Sequence, residues 1–160
     1  RILSGFYGVL KPFDGVVPYR LEMQAKASDA GDLYQFWGGK LYREVVRGDN
    51  GNPLCGRGEK EESRKGAVIV NLASKEYSRC IEKYLQPEDA FITVTFGELI
   101  DGKVKQKGTY AKMARGEMVR YLAEIQAEEP DKIKGFDRLG YRFAEELSTE
   151  KEYVFLKQEG

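Results

Sequence analysis

Ala67-Val68-Ile69-Val70-Asn71-Leu72 is a continuous apolar run, bounded by Gly66 before it and Ser74 after it. Alternation of apolar and polar residues marks a strand with one wet face. A run without alternation fits a central strand buried on both faces, as in parallel or mixed sheets. This segment limits the chain to folds with a sheet inside, and helices between buried strands favour a three-layer arrangement.

The surrounding pattern supplies those helices. Residues 1–4 read as a short apolar strand that ends in a turn at Gly5 and Gly8. Leu33, Phe36, Trp37, Leu41 and Val45 recur at helical spacing and predict a helix over 33–47, capped by Asp29 or Asp32. A second helix is expected from Ser74 to Leu85. Residues 90–100 alternate, with Phe91, Ile92, Val94, Phe96 and Leu99 apolar. Asp101-Gly102 then signals a hairpin into 103–108. A long helix runs from Tyr110 to Ala127 and stops before Pro130, and 141–147 with 152–158 read as a terminal strand pair. The segment 48–66 is rich in turn formers and charge and is expected to be a mobile surface loop. The reading is a single domain over 1–160, α/β (α+β), with a mixed sheet flanked by helices. The chain opens on Arg1, directly in an apolar strand, and so reads as the continuation of a domain whose N-terminal portion is missing.

Composition narrows the function classes. With 41% hydrophobic and 32% charged residues, the 160-residue chain suits a globular core rather than disorder. No apolar run approaches the roughly 18 to 20 residues that span a bilayer. There are 26 basic and 26 acidic residues, so no overall charge selects nucleic acid as a partner. Local charge is uneven, however: Lys103, Lys105, Lys107, Lys112 and Arg115 lie between Gly102 and Gly116 with no acid among them. Cys55 and Cys80 make neither a disulfide framework nor a zinc site. Without histidine, these residues hold no Ser-His or Cys-His nucleophile and no His-ligated metal. No Walker or dinucleotide fingerprint is present, and no cofactor is expected.

Site chemistry is expected at three junctions. Gly5 and Gly8 permit close backbone approach, and Lys11, Arg20 and Glu22 follow within a few residues. Asn71 falls near the carboxyl end of a strand and Ser74 at the N-cap of the next helix, where anions bind and where a serine also serves simply as a cap. At the third junction Thr109 is the expected N-cap, which puts Tyr110 and Lys112 in the first turn and Arg115 one turn on. Ala111, Ala114, Met118, Tyr121, Leu122 and Ile125 form the buried stripe, and Arg115 lies about 40° from Ala111. Cations there oppose the helix dipole at about 0.3 to 1 kcal/mol each, so either they form a solvated basic face or an anion meets them: a carboxylate of Glu22, Glu76 or Asp14, or a phosphate. Tyr7, Tyr19, Tyr34, Tyr77 and Tyr110 interleave with the charges, and the Tyr34-Gln35-Phe36-Trp37 block reads as core.

Several of these segments, taken in order, resemble the YaaA family of bacterial peroxide-stress resistance proteins. The matching residues are Leu3 to Pro12 with Asp14, Pro18 to Met23, Leu33 to Gly38, and Asn71 to Ser74 with Glu76-Tyr77. Tyr110-Ala111-Lys112 with Ala114-Arg115-Gly116, and Gly140-Tyr141 with Phe143, complete the set. The resemblance implies a cytoplasmic protein that limits peroxide damage and binds double-stranded DNA, with no settled enzymatic reaction. On this reading Lys11, Arg20, Asn71, Ser74, Tyr110, Lys112 and Arg115 line a cleft that contacts phosphates. The alternative is an enzyme acting on a nucleotide, base or phosphorylated small molecule, with Glu22 or Glu76 as acid/base. A third possibility joins Ser4, Tyr7, Arg20, Glu22, Asn71, Glu76 and Arg115 in one structural polar network.

Overall fold

A computed structural model describes residues 1–27, 31–46 and 66–158. Contacts gather the chain into two compact units: Arg1–Ala67 with Ala73–Asp89, and Val68–Leu72 with Ala90–Gly160.

The first unit opens with strands β1 (Ile2–Ser4) and β2 (Gly8–Leu10), paired antiparallel across the glycine turn. Gly8 has φ +80°, and a Cβ there would stand 3.0 Å from the Trp37 ring, so both backbone and space require glycine. The Trp37 indole N–H donates to the Gly5 carbonyl at 2.9 Å. Helices α1 (Leu33–Trp37) and α2 (Lys40–Val45) replace the single helix expected over 33–47. Gly38, at φ 49° and ψ −139°, breaks the ladder between them. Asp32 caps α1 through a capping box with Gln35, whereas Asp29 and residues 48–65 of the expected loop lie outside the described residues. Phe36 is exposed, and Tyr34 and Trp37 are only half-buried, which corrects the expectation of a core block. Helix α3 (Lys75–Glu82) completes the unit, whose buried apolar side chains include Met23, Leu33, Leu41, Tyr42, Cys80 and Ile81.

The second unit is built on a mixed sheet. Its strands are β3 (Val68–Asn71), β4 (Ala90–Ile100), β5 (Lys103–Lys105), β6 (Tyr141–Phe143) and β7 (Glu152–Lys157). The order is β3-β4-β7-β6; β4 runs parallel to β3 and β7, and β5 and β6 pair antiparallel with β4 and β7. The long alternating strand is therefore the centre of the sheet. The apolar run that suggested a centre is instead the outermost strand of this path: Val68 is exposed, and Ile69 and Val70 are half-buried.

The Asp101-Gly102 turn forms as expected, with φ 52° and 71°. Two successive left-handed residues match the twist of a two-residue hairpin. The returning strand is shorter than 103–108 because α4 (Gly108–Glu124) begins there. The strand expected over 141–147 also stops early, giving way to a 3₁₀ turn at Glu145–Leu147. There the Ser148 hydroxyl takes over from the ladder, donating to the Ala144 carbonyl at 2.7 Å and accepting from the Val154 amide at 2.9 Å.

Ile92, Val94 and Phe96 alternate onto one face of the sheet, with Tyr141, Tyr153 and Phe155 beside them. Ala111, Ala114 and Met118 of α4, and Ile133 and Phe136 of the 3₁₀ helix Pro130–Gly135, close this core. Phe96 is fully buried, and its ring centroid lies 5.2 to 5.6 Å from those of Tyr141, Phe155 and Phe136. Tyr121 and Leu122 pack at the margin of this core, whereas Ile125, counted in the stripe, is exposed at the helix end.

Candidate functional site

The expected basic junction falls in the second unit, around the first half of α4. The helix starts at Gly108, and its N-cap is Lys107 in extended conformation with no side-chain cap. Thr109 is therefore not the cap. Lys112 becomes the fifth helical residue and Arg115 the eighth, beyond the turn where the dipole acts. The dipole premise fails here, but a different physical demand takes its place.

Arg115 is half-buried, and its Nε is buried without a hydrogen-bond partner. Its Nη2 donates to the neutral Gln106 Oε1 at 3.1 Å, and burial lowers the pKa of the guanidinium. Leaving one buried donor unsatisfied costs about 1 to 3 kcal/mol. Lys112 is exposed, and neither cation belongs to an ion pair among the described residues.

The acids of α4 are committed elsewhere. Arg138 bonds Glu117 at 2.8 Å and Glu124 at 2.6 Å, and Arg120 shares Glu124 at 2.7 Å. The acids of the second half of the helix are taken up by Arg120 and by Arg138 from beyond the helix, and the first half keeps its positive charge. The basic strip is nevertheless thinner than the sequence suggests, since Lys107 pairs with Glu98 at 2.6 Å and Lys105 with Asp101 at 3.5 Å. Tyr110 is exposed, and the Lys157 ammonium sits 4.4 Å from its ring centroid. One face of this ring is thus already occupied by a cation.

Asn71 also lies in this unit, buried at the end of β3, and its Nδ2 donates to Thr93 Oγ1 at 3.2 Å. Next along the same face of β4, the buried Thr95 hydroxyl donates to Glu152 Oε1 at 2.7 Å. Asn71 is thereby part of a polar row on the sheet face opposite the aromatic core.

The remaining expected residues belong to the first unit. Lys11 and Arg20 are exposed on the segment after β2. Ser74 occupies the N-cap of α3, but its hydroxyl makes no capping bond, so the expectation that it caps through its side chain is not met. Glu22 is exposed. Glu76 is held in place: its Oε1 accepts from the Met23 amide at 2.8 Å, and its main-chain carbonyl accepts from the Tyr34 hydroxyl at 2.9 Å. Ser4 is buried, with its Oγ accepting from the Tyr7 amide and bonded to the Tyr19 hydroxyl. The structural network within this unit therefore includes Ser4, Tyr7 and Tyr19.

Gln106 and Lys157 are the participants the sequence did not reveal. Gln106 precedes the helix outside its periodicity, and Lys157 reaches Tyr110 from the terminal strand. Among the described residues no cluster of acids, cysteines or histidines could hold a metal ion. No helix among them is long and apolar enough to cross a membrane.

Comparison with known proteins supplies the family. The model of the family described as "Peroxide stress protein YaaA" matches residues 1–147. The chain belongs to this YaaA family. It is 57% identical over 157 residues to a UPF0246 protein of Agathobacter rectalis, covering 97% of this chain and 56% of that relative. A UPF0246 protein of Lachnoclostridium phytofermentans is 52% identical, with 99% of this chain and 56% of the relative covered. One from Pediococcus pentosaceus is 50% identical, with 99% and 57% covered. The chain thus spans little more than half the length of these YaaA-family relatives.

Proposed function

We propose that this YaaA-family chain contributes to peroxide-stress protection by contacting the phosphates of double-stranded DNA, with Arg115 and Lys112 as the principal cations. The observation that carries the reading is the Arg115 guanidinium, half-buried, paired only with a neutral amide, and holding one buried N–H with no acceptor. Arginine has the fork geometry for a phosphate, and the neighbouring Lys112 adds a point charge. Lys11 and Arg20 supply exposed positive charge on the other unit, and Tyr110 contributes a hydroxyl at the margin. Contacts of this kind position the protein without reading sequence, so duplexes of unrelated sequence should bind alike.

The reading is tested by fluorescence anisotropy on duplexes of unrelated sequence. Lys112→Ala combined with Arg115→Ala should weaken every duplex to a similar degree. Unchanged binding by the double variant would remove these residues from the interface.

The alternative, an enzyme acting on a nucleotide, base or phosphorylated small molecule, finds one supporting feature, although not at the basic junction of α4. An open depression of about 690 Å³ in the first unit is lined by Asp32, Tyr34, Arg79 and Lys83, among others. Neither Glu22 nor Glu76 lines it; its carboxylates are Asp32 and Glu82.

A further inference from the structure

Residues 11–20 form a ribbon outside any helix or strand, and every one of them is exposed. Phe13, Val16, Val17 and Tyr19 lie within it, and Ile2 of β1 and Phe6 of the glycine turn are exposed as well. Phe13 has no cover at all, at 101%. Solvated connections are normally built from turn formers and charge, and a cluster of large apolar side chains on one marks an interaction site.

The ribbon is held in shape rather than loose. Asp14 Oδ2 accepts from the Lys11 amide at 2.8 Å, and the Asp14 amide donates to the Lys11 carbonyl at 3.1 Å. The Val17 amide donates to the Tyr7 hydroxyl at 3.0 Å. Tyr19 is bonded to Ser4, and its ring lies 5.6 Å from that of Phe6. These contacts set the apolar ribbon beside β1 and β2.

That strand pair is itself incomplete as a sheet. Among the described residues it has two strands of three residues each, paired only with one another. A two-stranded pair is marginal on its own, and among the described residues neither outer edge has a further strand beside it. An open edge next to exposed apolar side chains is the surface that strand addition uses: main-chain bonds on the edge, side-chain burial beside it.

The relatives point to the occupant. This chain covers 56% of the Agathobacter rectalis protein, so a large share of that polypeptide lies outside the matched residues. We infer that this face is an interface within the longer family fold: polypeptide from outside the match adds a strand to the β1–β2 edge and buries Phe13, Val16 and Val17. The inference rests on the apolar residues of the ribbon and not on DNA contact by Lys11 or Arg20, which share the segment.

Hydrogen–deuterium exchange on this chain and on the intact Agathobacter rectalis relative tests it first. Amides of residues 2–19 should exchange faster here than in the aligned segment of the intact relative, where the added strand protects them. Fast exchange in both would overturn the inference. The second test co-expresses this chain with the part of that relative outside the match. A one-to-one complex is expected, and Val17→Asp should weaken it by about tenfold or more, as loss of a buried anchor does. Val17 is exposed in this chain, so circular dichroism of the variant alone should be unchanged. A complex indifferent to Val17→Asp, or self-association of this chain through the ribbon, would assign the surface to something else.

Discussion

Glu76 accepts the Met23 amide proton at 2.8 Å, joining the first turn of α3 to the segment that follows the exposed ribbon. Met23 itself is fully buried, and its carbonyl accepts from the Leu33 amide at 3.2 Å, so the two bonds satisfy both main-chain polar groups of a core residue. The carboxylate thus has a structural role as an acceptor. Glu76→Ala should therefore lower stability by about 1 to 2 kcal/mol. Glu76→Gln keeps an oxygen in place and should lose much less. Urea unfolding of both variants decides the matter; equal losses would show that charge, and not the acceptor, is what this position requires.

Gly8 should tolerate no side chain. Its φ of +80° disfavours any L residue, and the Trp37 ring stands 3.0 Å from where a Cβ would lie. Gly8→Ala is expected to cost about 1 to 3 kcal/mol. The chain has a single tryptophan, so its emission reports the site directly. A red shift with a lowered melting temperature is expected, and an unaltered spectrum with unaltered stability would contradict the packing.

Membership of a peroxide-stress family raises the question of whether Cys80 senses the oxidant. Burial, aided by the nearby Glu76, pushes the thiol pKa up to about 11. The native state thus holds its proton where the unfolded chain has lost it. The associated stability is complete below the ordinary thiol range and declines as pH rises toward and through about 11. Thiolate is the reactive form, so alkylation of Cys80 at pH 8 should be at least about tenfold slower in the native protein than in guanidinium. The measurement is made in a Cys55→Ser background. Equal rates would mean the thiol is accessible and ionised.

Local signals carried most of the fold. Strand β4 over 90–100 and the Asp101-Gly102 turn follow from alternation and from two residues that accept positive φ, both properties of adjacent positions. Burial is less local. The 67–72 run is apolar but for Asn71, yet Val68 is exposed because the strand closes the described sheet path. The break at Gly38-Gly39 was hidden because Leu33, Trp37 and Leu41 keep helical spacing across it. At the site, Lys112 and Arg115 were legible as cations with no local acid. The partners that define their surroundings were not, since Gln106 lies outside the helix and Arg138, which takes up Glu117 and Glu124, comes from beyond it.

The most direct test is the salt dependence of duplex binding by this chain and by its Lys112→Ala and Arg115→Ala variants. If both cations neutralise phosphates, affinity falls linearly with salt on a double-logarithmic plot, and each substitution reduces the slope by about one. A slope that neither substitution changes, or no salt-dependent complex at all, would contradict the account.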